Sequence, residues 1–296
     1  EALTVTGLLN NAVDRLDEDL ADDPASQAAA LRMIGTIFFA MDDYASASPI
    51  LKRVANNPSE EVPQDIRALA QYDLAQVQFT AGRMDQARHL FDAAVGYWSQ
   101  SPEHFVTELI YTSTMEARFL RFDHDAEGAV RVLERAVEKA DQHWGRQHEE
   151  TAIVLSNLVV AHFYNNDFPA AQRVSEETWQ VWEAIEKTDS ANALNTLSNW
   201  GIMAQRNGDL ITATENITRA AKLRLQLFGP SSGVSNHLIS VAKLQADNGE
   251  LDESLKSIKA ATAMAQEHAE PGDPLMTQLG CFHGRFLAES GRHAEA

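Results

Sequence analysis

Apolar residues recur three and four positions apart along most of the chain, with polar residues filling the places between. That spacing marks one face of an α-helix, and no stretch shows the sustained period-two alternation of a half-buried strand. The segment SNWGIMAQRNGDLITATENITRAA, residues 198–221, shows the pattern in miniature: an apolar-periodic stretch, the break RNGD, and a second apolar-periodic stretch. Gly201 lies inside the first stretch. A glycine there costs about 1 kcal/mol relative to alanine, so the position requires a missing side chain.

Small residues recur in that same context. Gly35, Ala75, Ala117, Val159, Gly201, Ala242 and Gly284 follow one another at steps of 40, 42, 42, 42, 41 and 42 residues. Twelve residues after each stands Ala47, Ala87, Ala129, Ala171, Ala213, Ser254 or Ala296. Four further on come Leu51, Phe91, Leu133, Ser175, Ile217 and Ile258; seven beyond the second series come Val54, Ala94, Ala136, Thr178, Ala220 and Ala261. Such a period marks a repeat architecture. If two antiparallel helices cross where positions 201 and 213 meet, a glycine facing an alanine lets the backbones approach. The dispersion and burial gained can then outweigh the propensity cost. Gly35 and Gly284 follow the same logic.

Between the two series of each unit lies a short turn: MDDY, AGRM, NNDF, RNGD and DNGE. Gly82, Gly208, Gly249 and Gly291 stand where a helix would end on a left-handed residue. Longer breaker-rich connections such as NNPSEEVPQD, HWGRQHEE, LFGPSSG and EPGDPL join the units. The expected organisation is all-α: a leading helix and cap over 1–22, then seven helix–turn–helix units at about 24–60, 61–101, 102–146, 147–187, 188–229, 230–270 and 271–296, the last truncated. The leading helix, over 4–20, would be capped at Thr4 or Thr6.

The pattern Leu197, Trp200-Gly201, Gly208, Ala213 and Ala220 resembles the tetratricopeptide repeat (TPR), and the resemblance covers nearly all of the chain. The period near 42, with HWGRQHEETAIVLSNLVV and LFGPSSGVSNHLISVA at unit junctions, is similar to the longer repeats of kinesin light chains. The resemblance implies a right-handed superhelical solenoid of antiparallel helix pairs that binds other proteins and is not an enzyme. Glu116 and His283 depart from the pattern, because each replaces an apolar residue before the small position, so units three and seven are expected to be irregular. Residues 1–54 resemble the segment that opens the repeat region of bacterial serine/threonine kinases with C-terminal TPRs. That likeness implies a signalling context. No kinase motif is present, so no kinase activity attaches to this chain. The first residue is Glu1, not Met, which suggests a piece of something longer, in which a kinase and a membrane span could precede it.

Composition narrows the partners. A formal net charge of -19 argues against nucleic acid or an anionic membrane surface. One cysteine excludes an internal disulfide framework. No apolar run approaches a spanning helix, so direct membrane insertion is not expected.

The resemblance implies that the first helix of each unit lines a groove, through side chains about six, three and two residues before the small position and one, four and five after it. Basic residues at these places are Arg32, Arg118, Arg121, Arg206, Lys243 and Arg285, against only Asp73, Asp247 and Glu289. Tyr72, Phe79, Tyr111, Phe163 and Tyr164 add aromatic bodies. Asn157 and Asn199 recur two residues before the small position, and an amide can pair with a peptide backbone without reading its sequence. The expected ligand is a protein or an extended, acidic peptide. The alternatives are that these residues pair with acids such as Asp73 or Glu116 and bind nothing, or that the array is a scaffold that oligomerises, as a homodimer for example.

Other motifs carry less. DHDAEGAVRVLE at 123–134 has calcium-loop spacing, but Ala129, Leu133 and Ala136 are in phase with a helix, which would scatter the ligands. Cys281 with His283, and His143 with His148, lack metal-ligand geometry. The sequon NIT at 216 falls within a helical stretch. Neither a cofactor nor a metal is expected. Trp98, Trp144, Trp179, Trp182 and Trp200 are assigned to packing.

Overall fold

A computed structural model describes residues 5–40, 43–229, 232–268, 274–293 and 295. They fall into two compact units, Glu1–Met115 and Glu116–Ala296. The described residues contain α-helices and no strand. The first unit holds α1 (Val5–Asp19), α2 (Pro24–Ala40), α3 (Tyr44–Ala55), α4 (Gln64–Thr80), α5 (Met84–Trp98) and the start of α6 (Val106–Phe122). The second holds the end of α6, α7 (Ala126–His143), α8 (Glu149–Tyr164), α9 (Phe168–Ala184), α10 (Ala191–Arg206), α11 (Leu210–Phe228), α12 (Ser232–Asp247), α13 (Leu251–His268) and α14 (Pro274–Glu289). Thr6 lies inside α1 and is not its cap, whereas Thr4 falls outside the described residues.

Within the first unit, consecutive helices pack in chain order from α1 to α5; in the second they do so from α7 to α14. The pairs α2 with α4, α8 with α10, and α12 with α14 also touch, and each is a pair of first helices. The small-residue columns are the crossing points. Ala47, Ala87, Ala129, Ala171, Ala213 and Ser254 have no exposed surface at all. A Cβ at Gly201 would lie 2.4 Å from Ile217 Cγ1 and 3.2 Å from the Ala213 carbonyl oxygen. At Gly35 it would lie 2.7 Å from Leu51 Cδ2. These glycines are therefore contact points between α10 and α11, and between α2 and α3. The partner position of Gly284, Ala296, lies outside the described residues.

A second column sets the turns. Gly82, Gly208, Gly249 and Gly291 all have φ between 73° and 83°, and the same places in the intervening units hold His124 at 64° and Asn166 at 59°. Asparagine and histidine are among the few side chains that tolerate this region, so the turn survives the loss of glycine. In four of the repeats the next residue is an aspartate that opens the second helix. Asp43, Asp125, Asp167 and Asp209 accept hydrogen bonds from the backbone N–H of Ser46, Gly128, Ala170 and Thr212 at 3.0, 2.7, 3.0 and 3.1 Å. Each such cap is worth about 1 kcal/mol.

Polar residues in the packed columns find partners locally. The Ser175 and Thr178 hydroxyls donate to the carbonyls of Ala171 and Val174 on their own helix. Trp182 Nε1 donates to Thr196 Oγ1 at 3.0 Å, and Ser156 Oγ lies 2.9 Å from the same oxygen, which joins α8, α9 and α10 at one point. Trp98, Trp179 and Trp182 are buried, while Trp144 and Trp200 are half-buried. The expected irregularity of units three and seven is not a break in a helix, because α6 and α14 run unbroken through Glu116 and His283. Glu116 is exposed where Ile34, Leu74, Leu158 and Val241 are buried in their own units, and the chain divides into its two compact units between Met115 and Glu116. An unpaired carboxylate cannot be buried cheaply, so this side chain stays in water.

Two substitutions test the crossing-point reading together. Gly96→Ala, exposed in α5 with nothing within 4 Å of the added carbon, should stabilise by about 0.5–1 kcal/mol. Gly201→Ala should instead destabilise by about 1–3 kcal/mol despite its better helix propensity. Urea unfolding of both variants reads the opposite signs.

His162 yields a pH prediction. It is buried in α8 with Nδ1 unbonded and 3.9 Å from Asp167 Oδ2. Burial lowers its pKa below the ordinary histidine value, against the pull of Asp167 and Glu134 and with the push of Arg173. The native state therefore holds fewer protons here than the unfolded chain. Its contribution is intact above the unfolded pKa of about 6.5 and is lost as pH falls from there toward the folded value. Gln78 and Gln245 stand at the same place in other units. His162→Gln should flatten the fall in melting temperature as pH drops below about 6.5, and an unchanged slope would remove His162 as its source.

Candidate functional site

The first helices position the residues expected to face a ligand, and the two units are described in turn. In the first, Arg32 Nε donates to Asp73 Oδ2 at 2.7 Å, linking α2 to α4. Burial raises the Asp73 pKa, and the Arg32 charge works against that rise. Arg32 is thus committed to a neighbouring acid. The Tyr72 hydroxyl donates to the Tyr111 carbonyl at 2.9 Å, and the Tyr72 ring meets Trp98 edge-on at 5.8 Å and Phe91 at 6.5 Å. Tyr72 packs the joint between α4, α5 and α6. Phe79 and Tyr111 are half-buried.

In the second unit, the end of α6 and the face of α8 come together. The Arg121 guanidinium stacks 4.6 Å from the centroid of the Tyr164 ring. Tyr164 is 58% exposed, and its ring meets Phe163 edge-on at 5.5 Å. Phe163 in turn packs on Phe168 at 5.7 Å. Burial lowers the Arg121 pKa; Tyr164 opposes that change and the neighbouring Arg118 charge adds to it. No carboxylate pairs with Arg121 among the described residues. The result is a half-buried cation beside a second arginine, held by an aromatic face rather than by an acid. A cation–π contact of this kind is worth about 0.5–2 kcal/mol, and it leaves the guanidinium edge N–H groups available to an acceptor.

Further along the same face, Asn157 Nδ2 donates to the Ile153 carbonyl of its own helix at 3.0 Å. Asn199 is half-buried, and its amide makes no hydrogen bond among the described residues. Arg206 is exposed and unpaired among them. Lys243 lies 5.3 Å from the centroid of the Phe282 ring, so a cation again rests on an aromatic ring of the next first helix. Arg285 Nε donates to Glu289 Oε1 at 2.7 Å, and Gln205 Nε2 donates to Asp247 Oδ2 at 3.1 Å. Arg32 and Arg285 are thus paired with acids, whereas Arg121, Arg206 and Lys243 are not.

Sequence reasoning missed Phe122, which is 57% exposed. It shares a column with Tyr164 and Arg206, 42 residues apart in each step, and reading the column five past the small position in every unit would have found it. The calcium-like spacing at 123–134 is a helix start: Asp125 caps α7, and residues 126–143 are helical. A Cβ at Gly128 would lie 2.1 Å from Asp125 Oδ2, so that glycine serves the cap. Asn216 of the sequon is buried in α11. Among the described residues, no three His, Cys, Asp or Glu side chains are grouped to hold a metal ion.

No family model and no curated protein matches the chain. Solved structures do. The nearly identical TPR-like repeats of a protein described as a kinesin light chain of Podospora anserina superpose with a TM-score of 0.58 at 15% identity, over 63% of this chain and 89% of that one. A signal-transduction ATPase with numerous domains and a tetratricopeptide repeat sensor, from Pyrococcus horikoshii, gives 0.65 at 12% identity over 94% of this chain, which spans 41% of that protein. A Rap protein solved in complex with Competence and Sporulation Factor gives 0.63 at 13% identity, over 95% of this chain and 80% of that one. The helix pairing, the small-residue crossings and these likenesses agree: the chain has the all-α fold of the TPR-like helical repeats.

Proposed function

We propose that the second unit binds an extended, acidic segment of another polypeptide on its first-helix face, from the end of α6 across α8 to α10. The observation that carries this reading is Arg121: a half-buried guanidinium with no carboxylate partner among the described residues, stacked on the exposed Tyr164 ring beside Arg118. An incoming carboxylate would meet charge-assisted donors there. Phe163, Tyr164 and Phe122 offer apolar surface to the ligand's other side chains. Asn199, and the carbonyl oxygen of Asn157, would hold its backbone. Arg206 and Lys243 extend the positive strip toward later units.

The solved likenesses support a binding role in kind: one is a repeat sensor and another was captured with a bound factor. In the signalling context that residues 1–54 suggest, the chain would be the recognition part of a larger protein such as a serine/threonine kinase and would perform no chemistry itself.

The test uses two labelled 12-mers, one alternating glutamate with leucine and one with lysine instead, in about 0.15 M salt to screen long-range charge. The acidic peptide should bind, and Arg118→Glu/Arg121→Glu should weaken it by about tenfold or more with little change in melting temperature. Arg118→Gln/Arg121→Gln should lose less, in the same direction. Equal binding by both variants, or a tight dimer that binds neither peptide, would overturn the proposal.

A further inference from the structure

Met33 and Ile37 of α2 are 62% and 41% exposed, though both are large and apolar. The repeat register shows how unusual this is for Ile37. Two residues past the small position, the other units carry Val77, Phe119, Ala161, Met203, Leu244 and Phe286, and none of these is more than 4% exposed. The first unit shows what buries such a residue. Ala70, Leu74 and Val77 of α4 share one core with Leu31, Ile34 and Phe38 of α2, the preceding first helix. On α2 the matching places are Ala30, Ile34 and Ile37, and no first helix among the described residues stands against them on that side. Together with Met33, and with Ala12, Leu16 and the ion-paired Arg15 and Asp19 of α1, they line an open groove of about 390 Å³. Leu8 of α1, 49% exposed, adjoins it. Exposed apolar clusters of this kind mark interaction sites.

We infer that this groove receives an amphipathic α-helix of another polypeptide, seated where the first helix of one more repeat would lie and carrying basic residues beside its apolar face. Shape sets the helix: α1 and α2 form two walls, and α4 fills the corresponding slot against α2 with one apolar face. Charge sets the flank. Residues 14–23 hold six carboxylates against the single Arg15. Asp17 is taken by Arg53, and Asp19 lies 3.4 Å from Arg15. Asp14, Glu18 and Asp22 are exposed and unpaired among the described residues. An acidic helix would be repelled there, and a basic one drawn in. This site lies in the first unit and does not depend on the Arg121 reading.

The probe is an 18-residue peptide with leucines on one helical face and lysines on the other. Two controls accompany it: a scrambled version without the apolar face, and a version with glutamate in place of lysine. Fluorescence anisotropy with the whole chain should show saturable binding of the first peptide only. Met33→Glu/Ile37→Glu should weaken that binding by about tenfold or more, and Arg118→Glu/Arg121→Glu should leave it unchanged. Because both side chains are exposed, the melting temperature should hold; Met33→Gln/Ile37→Gln serves as a milder second variant. Equal binding by both groove variants, equal binding of the scrambled or glutamate peptide, or no binding at all would overturn the inference. So would a wild-type dimer in sedimentation that Met33→Glu/Ile37→Glu dissolves, since that assigns the groove to a second copy.

Discussion

The molecule depends on how closely two helix backbones approach at one point in each pair. At Gly201 the space for even a methyl group is filled by Ile217 and the Ala213 carbonyl; at Gly35 it is filled by Leu51. Dispersion falls off steeply with distance, so a fraction of an ångström at the crossing decides how much of the remaining interface is in contact. Everything else takes its position from that crossing. The left-handed turn residue and the capping aspartate reverse the chain at a fixed distance from it. Within each compact unit, first helices then stack on one another, α2 on α4 in one and α8 on α10 and α12 on α14 in the other.

On the first helices of the two units, charge is handled in two ways. Some cations meet acids, as Arg32 does with Asp73 and Arg285 with Glu289. Others rest on rings, as Arg121 does on Tyr164 and Lys243 on Phe282. The Arg32–Asp73 pair joins α2 to α4 and is spent in doing so, while Arg285 is paired within its own helix α14. A cation on a ring is held in place with its charge uncancelled, which is the state a binding surface for an acidic segment requires.

The fold was legible because its determinants are local and periodic. Small residues every 40 to 42 positions and the breakers between them need no knowledge of distant partners. The turn column was only half visible: Gly82 and Gly208 announce a left-handed residue, whereas His124 and Asn166 do the same work without announcing it. The site was harder to read. Arg32 and Arg121 occupy similar-looking places in sequence, yet one has Asp73 across from it and the other Tyr164, and only the packing of neighbouring helices separates them. Tyr72 looked like a groove aromatic, and its ring lies beside Trp98 at a helix joint that its own repeat does not announce. Ile37 shares its column with the buried Val77 and Met203, and nothing in the residue's own identity marks it as exposed.

A double-mutant cycle between Gly201 and Ile217 addresses the crossing point most directly. If the close contact is the constraint, Gly201→Ala should lose most of its cost in an Ile217→Ala background, with a coupling of about 1 kcal/mol or more measured by urea unfolding. If the two changes add to within about 0.3–0.5 kcal/mol, the helices do not meet there as described, and the account of the fold and of the faces built on it fails.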